Sequence, residues 1–148
     1  MDQIYSSPSQ FIADIKQYES ELKEIVGEER YNSIEKYIRF PGGTSTNGKL
    51  SKSEATEYIA KVRDMGYKVY DWTALTKDKE GLSTTNEFIS CMLSGLTKAK
   101  TNEEPLIVLM HDMYSTSQAL PAIIDCLISE GYYFDTVDNC LEYTFVEN

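Results

Sequence analysis

Apolar residues along the chain alternate between a helical period and short strand-like runs. The first helical pattern opens at residues 7–10, which offer an N-cap serine, a proline at the first helical position and a capping-box glutamine. Apolar residues then recur at helical spacing from Phe11 to Val26, and Gly27 follows where a C-terminal cap belongs. This pattern predicts a helix that buries one face and ends at Gly27.

The same order of helix and strand recurs through the rest of the chain. Capping boxes at Ser51/Glu54 and Thr84/Glu87 predict a second and a third helix, and a fourth spans 116–130. Short apolar runs predict strands at 33–40, 67–72, 106–110 and 132–137, with a short fifth strand at 143–146. The run at 106–110 is continuously apolar, which is typical of a strand covered on both faces.

This alternation predicts an α/β fold of four to five mostly parallel strands with helices outside them. In such folds the chemistry gathers at the carboxyl ends of the strands. Three loops satisfy that condition, at 39–43, 71–72 and 109–112. We therefore expect Arg39, Asp71 and His111, the only histidine of the chain, to converge on one edge of the sheet.

Length and charge limit the classes of protein that fit. The 148 residues suit one ordinary domain, 1–148, with 41% hydrophobic residues and a formal net charge of −10. No Lys or Arg follows Lys100, whereas nine acids do. Because a phosphate backbone needs clustered cations, the charge argues against nucleic acids and anionic membrane surfaces as partners and favours a neutral or cationic ligand.

Cysteines and terminal segments add little chemistry. Cys91, Cys126 and Cys140 are spaced by 35 and 14 residues, which matches neither a redox C-x-x-C motif nor paired zinc knuckles, so we interpret them as thiols. The amino-terminal ten residues lack a basic stretch followed by an apolar run. The apolar run at 106–110 is too short to span a bilayer, so neither a membrane span nor an export signal is predicted.

Each residue at the predicted sheet edge also has a purely structural interpretation. Arg39 can be a surface cation or a clamp, and Asp71 a turn acid beside the core indole of Trp72. A lone histidine after an apolar strand is most often a boundary residue with satisfied hydrogen bonds. It is the predicted convergence of the three that favours a site.

Three motifs carry a resemblance to a known family. Residues 39–43 (RFPGG), 71–72 (DW) and 109–112 (LMHD) resemble, in order and spacing, motifs of the metal-dependent polysaccharide deacetylases of the NodB type, carbohydrate esterase family 4. The similarity is to the branch that acts on chitin-like sugars and peptidoglycan. Segment 119–134 resembles the family's last helix and strand, so the similarity covers nearly the whole chain and implies a (β/α) barrel.

The resemblance implies a role for each matched position. His111 would be the general acid that protonates the departing sugar amine, and Asp71 would hold its ring in orientation. Arg39 would tether the aspartate that serves as base. The remaining positions would bind substrate, with Leu109 lining the slot for the acetyl methyl group, Pro41 and Gly42 shaping the groove floor, and Trp72 packing beside it.

The resemblance also implies an incomplete site. The family's first two motifs supply the basic aspartate, a metal-binding aspartate and two metal-binding histidines, and they have no counterpart in this sequence. Zinc in such a site takes three protein ligands, and the single imidazole is already assigned as the acid. Cys91 and Cys126 lie on apolar faces of predicted helices. We therefore expect no metal in this chain, although complete members bind zinc or another divalent cation.

The predicted fold is thus a NodB-type barrel truncated at its amino-terminal side. Removing leading strands exposes an unpaired sheet edge, so we expect a homo-oligomer or a strand-complementing partner. Three functions stay open. The chain is part of a deacetylase that removes acetyl groups from N-acetylglucosamine-containing glycans, or a non-catalytic module that binds N-acetylated glycans, or an inactive remnant. The family is commonly extracellular or on the cell surface, and the sequence leaves the compartment undetermined.

Overall fold

The computed structural model of the chain describes residues 4–45, 49–82 and 84–147. The first three residues and the last of the predicted 1–148 domain lie outside this part. The backbone divides into two compact units, Met1–Asp71 with Thr144–Asn148, and Trp72–Tyr143. Each unit has its own hydrophobic core.

The first unit opens with the helix predicted from its capping motif. Helix α1 spans Pro8–Val26, and the Ser7 side chain accepts a hydrogen bond from the main-chain N–H of Gln10 at 3.1 Å. A short helix that the sequence pattern does not predict, α2 at Glu28–Ser33, follows Gly27. It is anchored by Tyr31, whose ring is buried.

Two short strands and one further helix complete the first unit. Strands β1 (Lys36–Ile38) and β2 (Tyr67–Val69) pair in parallel. Helix α3 (Lys52–Asp64) connects them along the chain and starts with the predicted capping box. The predicted strand 33–40 shortens to three residues, because α2 occupies its first residue and the chain turns at Pro41. The core lies between α1, α3 and the strands and includes Phe11, Phe40, Tyr58, Ile59, Val62 and Val69.

A carboxylate links the elements of this unit. Glu19 of α1 accepts hydrogen bonds on one oxygen from Tyr31 at 2.6 Å, Lys36 at 2.7 Å and Tyr67 at 3.1 Å. Burial acts to raise the pKa of Glu19, and the three donors outweigh it and lower that pKa. The ionised carboxylate therefore connects α1 to α2, β1 and β2.

The second unit repeats the order of strand and helix. Its elements are β3 (Ala74–Leu75), α4 (Thr85–Thr101), β4 (Val108–Leu109), α5 (Tyr114–Ser129) and a 3₁₀ turn at Val137–Asn139. Strands β3 and β4 pair in parallel, with Ala74 opposite Val108. Gly95 of α4 lies against Ala74, and a Cβ there would come within 2.8 Å of the Ala74 Cα, so only glycine allows this close packing.

Four strand predictions are corrected by the structure. The predicted strand 67–72 shortens to β2, the separate strand β3 follows it in another sheet, and the buried Asp71 lies between the two. The predicted strand 106–110 contracts to β4, which is half-buried rather than covered on both faces. The described residues contain no strand at 132–137 or 143–146.

The segment after α5 has a local reason to leave extended structure. The N–H of Tyr132 bonds the Leu127 carbonyl and closes the helix end. The Asp135 carboxylate then accepts hydrogen bonds from the Thr136 N–H and the Asn139 amide, which fold the chain into the 3₁₀ turn.

At the level of class, the predicted mixed α/β fold with parallel strand pairs is confirmed. The four strands of the described ranges form two pairs rather than one sheet. Among the helices of those ranges, none is long and apolar enough to cross a membrane.

Candidate functional site

The carboxyl ends of β3 and β4 bring an acid and the single imidazole together. Asp78 lies three residues beyond β3, and His111 lies two residues beyond β4. Since the two strands are parallel neighbours, these ends share one edge. Lys77 takes a left-handed backbone conformation, with φ of 57°, in the turn that leads to Asp78.

Three donors converge on the Asp78 carboxylate. Oδ1 of Asp78 lies 2.7 Å from Nδ1 of His111. Oδ2 accepts the main-chain N–H of His111 at 2.8 Å and the hydroxyl of Thr116, in the first turn of α5, at 2.7 Å. The Asp78 side chain is 1% exposed and the His111 side chain 31% exposed, so a buried carboxylate holds a partly accessible ring.

The charge on Asp78 fixes how the imidazole is bonded. Burial acts to raise the pKa of Asp78, but the hydrogen bonds from the His111 ring, the Thr116 hydroxyl and the His111 N–H outweigh it and lower this pKa to about 2. The carboxylate is therefore ionised at neutral pH, and Nδ1 of His111 must carry the proton that it donates to Asp78. Nε2 of the ring is left for another partner.

Leu109 belongs to the same strand end. It ends β4, pairs in register with Leu75 and is half-buried. Leu109 precedes His111 by two residues, the spacing that puts side chains on the same side of an extended chain. This is the placement expected of a side chain that lies beside the imidazole.

Asp71 lies in the first unit and has partners of its own. Its carboxylate accepts the N–H of Thr44 at 2.9 Å, the Thr44 hydroxyl, and the N–H of Phe145 at 2.8 Å. Gly43, with φ of 77°, packs so closely against this cluster that no side chain fits, because a Cβ would lie 2.6 Å from the Phe145 ring. Asp71 thus fastens the 41–45 loop to the turn at 145–147.

The acid bonded to Nδ1 of His111 differs from the one that the resemblance implies, and the predicted meeting of Asp71 with the ring stays a prediction. The family resemblance implies the ring-orienting role for Asp71, whereas the carboxylate at Nδ1 is that of Asp78. The reason is that the strand predicted at 67–72 ends early and a second one, β3, follows, so the acid beyond β3 is the one aligned with β4.

The other predicted site residues divide between the units. Arg39, exposed at the end of β1, donates to the Phe40 carbonyl at 3.3 Å. The Pro41 carbonyl accepts the Tyr5 hydroxyl at 2.8 Å, and burial raises the pKa of Tyr5 to about 12. Gly42 continues the same turn, with φ of 84°. Trp72, half-buried, belongs to the second unit with Leu109 and His111.

Comparison with known proteins finds similarity to polysaccharide deacetylases. No protein-family model matches the sequence. The chain is 24% identical over 139 residues to "Putative polysaccharide deacetylase YheN" of Bacillus subtilis (strain 168). It also matches the crystal structure of the catalytic domain of a peptidoglycan N-acetylglucosamine deacetylase from Eubacterium rectale ATCC 33656, with a TM-score of 0.76 and 25% identity over 99% of this chain.

The chain is similar to polysaccharide deacetylases, and its motifs resemble those of the NodB type. The resemblance inferred from the RFPGG, DW and LMHD motifs is confirmed by both matches. The match to YheN covers 93% of this chain but only 45% of YheN. The match to the solved Eubacterium structure covers 66% of that chain.

Two residues of the deacetylase-like site are not predicted from the sequence. Asp78 follows a two-residue strand, which no period-2 pattern can reveal, so the sequence does not mark it as a strand-end acid. The pattern predicts Thr116 only as the start of a helix, whereas its hydroxyl is a donor to the site. The available signal is an acid shortly after an apolar pair in Ala74-Leu75-Thr76-Lys77-Asp78.

Among the described residues, the side chains that could ligate a cation do not form a cluster. A catalytic zinc site takes three protein ligands, usually including imidazoles. The single histidine of the chain is bonded through Nδ1 to Asp78, and the described ranges contain no group of three or more His, Cys, Asp or Glu side chains placed to hold a metal ion. The three cysteines are half-buried and separate.

Proposed function

We propose that this chain carries the proton-donating part of a polysaccharide N-deacetylase site, with His111 as the general acid. The observation that carries the proposal is the Asp78–His111 pair at the carboxyl ends of two adjacent parallel strands. The substrate class is a glycan that contains N-acetylglucosamine, in keeping with the deacetylase activities named for the matched proteins.

The chemistry requires a proton at the leaving nitrogen. Water adds to the acetyl carbonyl, the C–N bond breaks, and the sugar nitrogen departs as an amine only when it receives a proton. Nδ1 of His111 is occupied by Asp78, so Nε2 is the atom that gives this proton. The ionised Asp78 stabilises the positive ring before transfer, and the neutral ring results after it.

Asp78 and Thr116 act as positioning residues. Asp78 fixes the orientation of the imidazole through two bonds to His111, one to the ring and one to the main chain. Thr116 fixes the carboxylate in turn from α5. A buried, fully bonded carboxylate limits rotation of the ring, which favours proton transfer along one direction.

The substrate contacts predicted from the motifs complete the proposal. Leu109 would lie against the acetyl methyl group, on the same side of the chain as His111. Trp72 and the Arg39 loop with Pro41 and Gly42 would contact the sugar chain. Asp71 would stabilise that loop through Thr44 rather than act on the imidazole.

We further propose that this chain alone does not assemble the family's cation site and does not turn substrate over. Residues outside these 148, in a further segment or in a partner polypeptide, would supply the base and the metal ligands by adding strands beside those described. The donor set supports this, because one imidazole committed to Asp78 leaves too few ligands of the kinds that zinc prefers.

A second candidate function is a glycan-binding module without turnover. The same single-imidazole donor set favours it, because a groove can hold N-acetylated sugars without any cation. Binding of an N-acetylglucosamine oligomer separates both candidates from an inactive remnant, and turnover in the presence of a partner separates the two candidates from each other.

Amine release from N-acetylchitotetraose and from peptidoglycan, measured with added zinc, tests whether this chain alone turns substrate over, and any release that is found tests the acid role through His111→Ala. We expect no release above that of His111→Ala, and less than one zinc bound per chain in equilibrium dialysis. Asp112→Asn, which changes an exposed acid next to the imidazole, serves as the matched control. Release that persists in His111→Ala would remove the acid role. Release that His111→Ala abolishes would keep that role and overturn the need for a partner.

A further inference from the structure

One aromatic side chain next to the candidate acid is turned to solvent. Of the eleven tyrosines, all within the described ranges, only Tyr18, Tyr114 and Tyr133 are exposed. Tyr114 is 81% exposed and follows His111 by three residues. Their Cα atoms are therefore at most about 11 Å apart, the length of three extended residues.

The backbone that carries Tyr114 is held in place by the site itself. Tyr114 is the first residue of α5, and its carbonyl accepts the Ser117 hydroxyl at 2.8 Å. The N–H of Met113 bonds the His111 carbonyl at 2.9 Å, and Thr116 bonds Asp78. The ring thus extends from a segment fixed at both ends to the Asp78–His111 pair.

The local surface suits a neutral ligand with an apolar face. The first turn of α5 contains no acidic residue, and Asp112, two residues before Tyr114, is an exposed acid. An exposed phenol ring offers a flat face with partial negative charge, against which the C–H groups of a pyranose ring can stack. The hydroxyls and acetamides of N-acetylglucosamine stay in water in such a contact, so little polar desolvation opposes it.

We infer that Tyr114 is a sugar-stacking residue that binds the N-acetylglucosamine unit next to the one whose nitrogen meets His111. The inference rests on the proposed function and adds a subsite to it. Tyr114 sets how the glycan chain runs past the imidazole and takes no part in proton transfer. A neutral N-acetylglucosamine oligomer is the ligand class it favours.

Titration of the ¹⁵N-labelled full chain with N-acetylchitotetraose tests the inference, with amide shifts giving both the location and the Kd. Tyr114→Ala should raise the Kd about three- to tenfold, the size expected for the loss of one aromatic contact. Tyr114→Trp should restore binding, because it keeps a flat face. Tyr133→Ala, which removes a tyrosine that is 87% exposed, should leave the Kd unchanged.

The outcomes separate this inference from the proposed function. Binding that perturbs the His111 amide and is equal in wild type and Tyr114→Ala overturns the stacking role while leaving the proposed site in place. Binding lost equally in Tyr114→Ala and Tyr133→Ala also overturns it, because a specific subsite would distinguish them. If the wild-type chain binds no oligomer, both the inference and the proposed substrate class are overturned.

Discussion

At the scale of single residues, the candidate site depends on one buried carboxylate. The whole Asp78 residue, main chain included, is 4% exposed, and its carboxylate accepts three hydrogen bonds, two of them from His111. A charge in this position is stabilising only because hydrogen-bond donors of the protein replace the water that burial removes from the carboxylate. Removing the charge therefore affects both the stability of the second unit and the orientation of the imidazole.

Asp78→Asn should abolish a pH-dependent part of the stability. The pKa of Asp78 is lowered to about 2 in the folded chain, below its ordinary value of 3.8, so its stabilisation is complete above about pH 4 and disappears as the pH falls toward 2. The variant should lose roughly 2 kcal/mol at pH 7 and little at pH 2. Urea unfolding at about pH 7, 4 and 2.5 measures the difference between the two proteins.

Asp112→Asn is the control for this comparison, since Asp112 is exposed and follows His111 directly. Its free energy of unfolding should stay within about 0.5 kcal/mol of the wild type at each pH. If the difference between the wild type and Asp78→Asn stayed constant across the pH range, it would contradict the assignment of an ionised, hydrogen-bonded Asp78.

In the first unit, Gly43→Ala should destabilise far more than Gly66→Ala. Both glycines have positive φ, 77° and 86°, so both substitutions carry backbone strain of about 1 kcal/mol. Only at Gly43 would the added methyl lie 2.6 Å from the Phe145 ring and 3.0 Å from Asp71, whereas at Gly66 it meets nothing within 4 Å. We expect an extra loss of about 1–3 kcal/mol at Gly43, measured by urea unfolding. Equal losses would argue against the Asp71–Phe145 arrangement.

At the scale of elements, the four long helices follow from local sequence, whereas the short helix α2 and the bounds of the strands do not. The capping boxes at Ser51 and Thr84 mark the starts of α3 and α4, because the bonds that make them lie within four residues. The strands are two or three residues long and gain their pairing from segments some 30 residues away. Such short strands leave too little alternation to read, and this is why neither β3 nor its acid, Asp78, follows from the sequence pattern.

Ser51→Ala should lower stability through α3 alone. The Ser51 hydroxyl accepts the N–H of Glu54, and the Glu54 carboxylate bonds the Ser51 N–H in return. Losing this cap should reduce the free energy of unfolding by about 1 kcal/mol. Thr56→Ala, which removes an exposed hydroxyl bonded to the Lys52 carbonyl inside the same helix, should cause no loss. A larger loss at Thr56 than at Ser51 in urea unfolding would contradict this account of the helix start.

At the scale of the whole molecule, the sequence motifs indicate the similarity to deacetylases and part of the site. His111 and Leu109 lie at the end of one strand, as the LMHD motif implies. Arg39, Pro41, Gly42 and Asp71 lie in the other unit, and their predicted meeting with His111 stays a prediction. The motifs name residue types at strand ends, whereas the identity of the acid bonded to the imidazole depends on which two strands pair, and that is information from tertiary structure.

Charge and length place further demands on the molecule as a whole. The net charge of −10 and the lack of bases after Lys100 suit a neutral glycan and an amine product. The chain covers 45% of YheN and 66% of the solved Eubacterium chain, so the activity of those larger proteins is proposed for it rather than carried over. The central claim is therefore that the Asp78–His111 pair faces an N-acetylated sugar.

The single histidine allows that claim to be tested with one signal. In ¹³C-labelled protein, the Cε1–Hε1 resonance of His111 is the only one of its kind. Titration with N-acetylchitotetraose should shift it saturably, and cellotetraose, which lacks the acetamide groups, should leave it in place. A resonance that ignores the N-acetylated oligomer, or that moves equally with both sugars, would contradict the account.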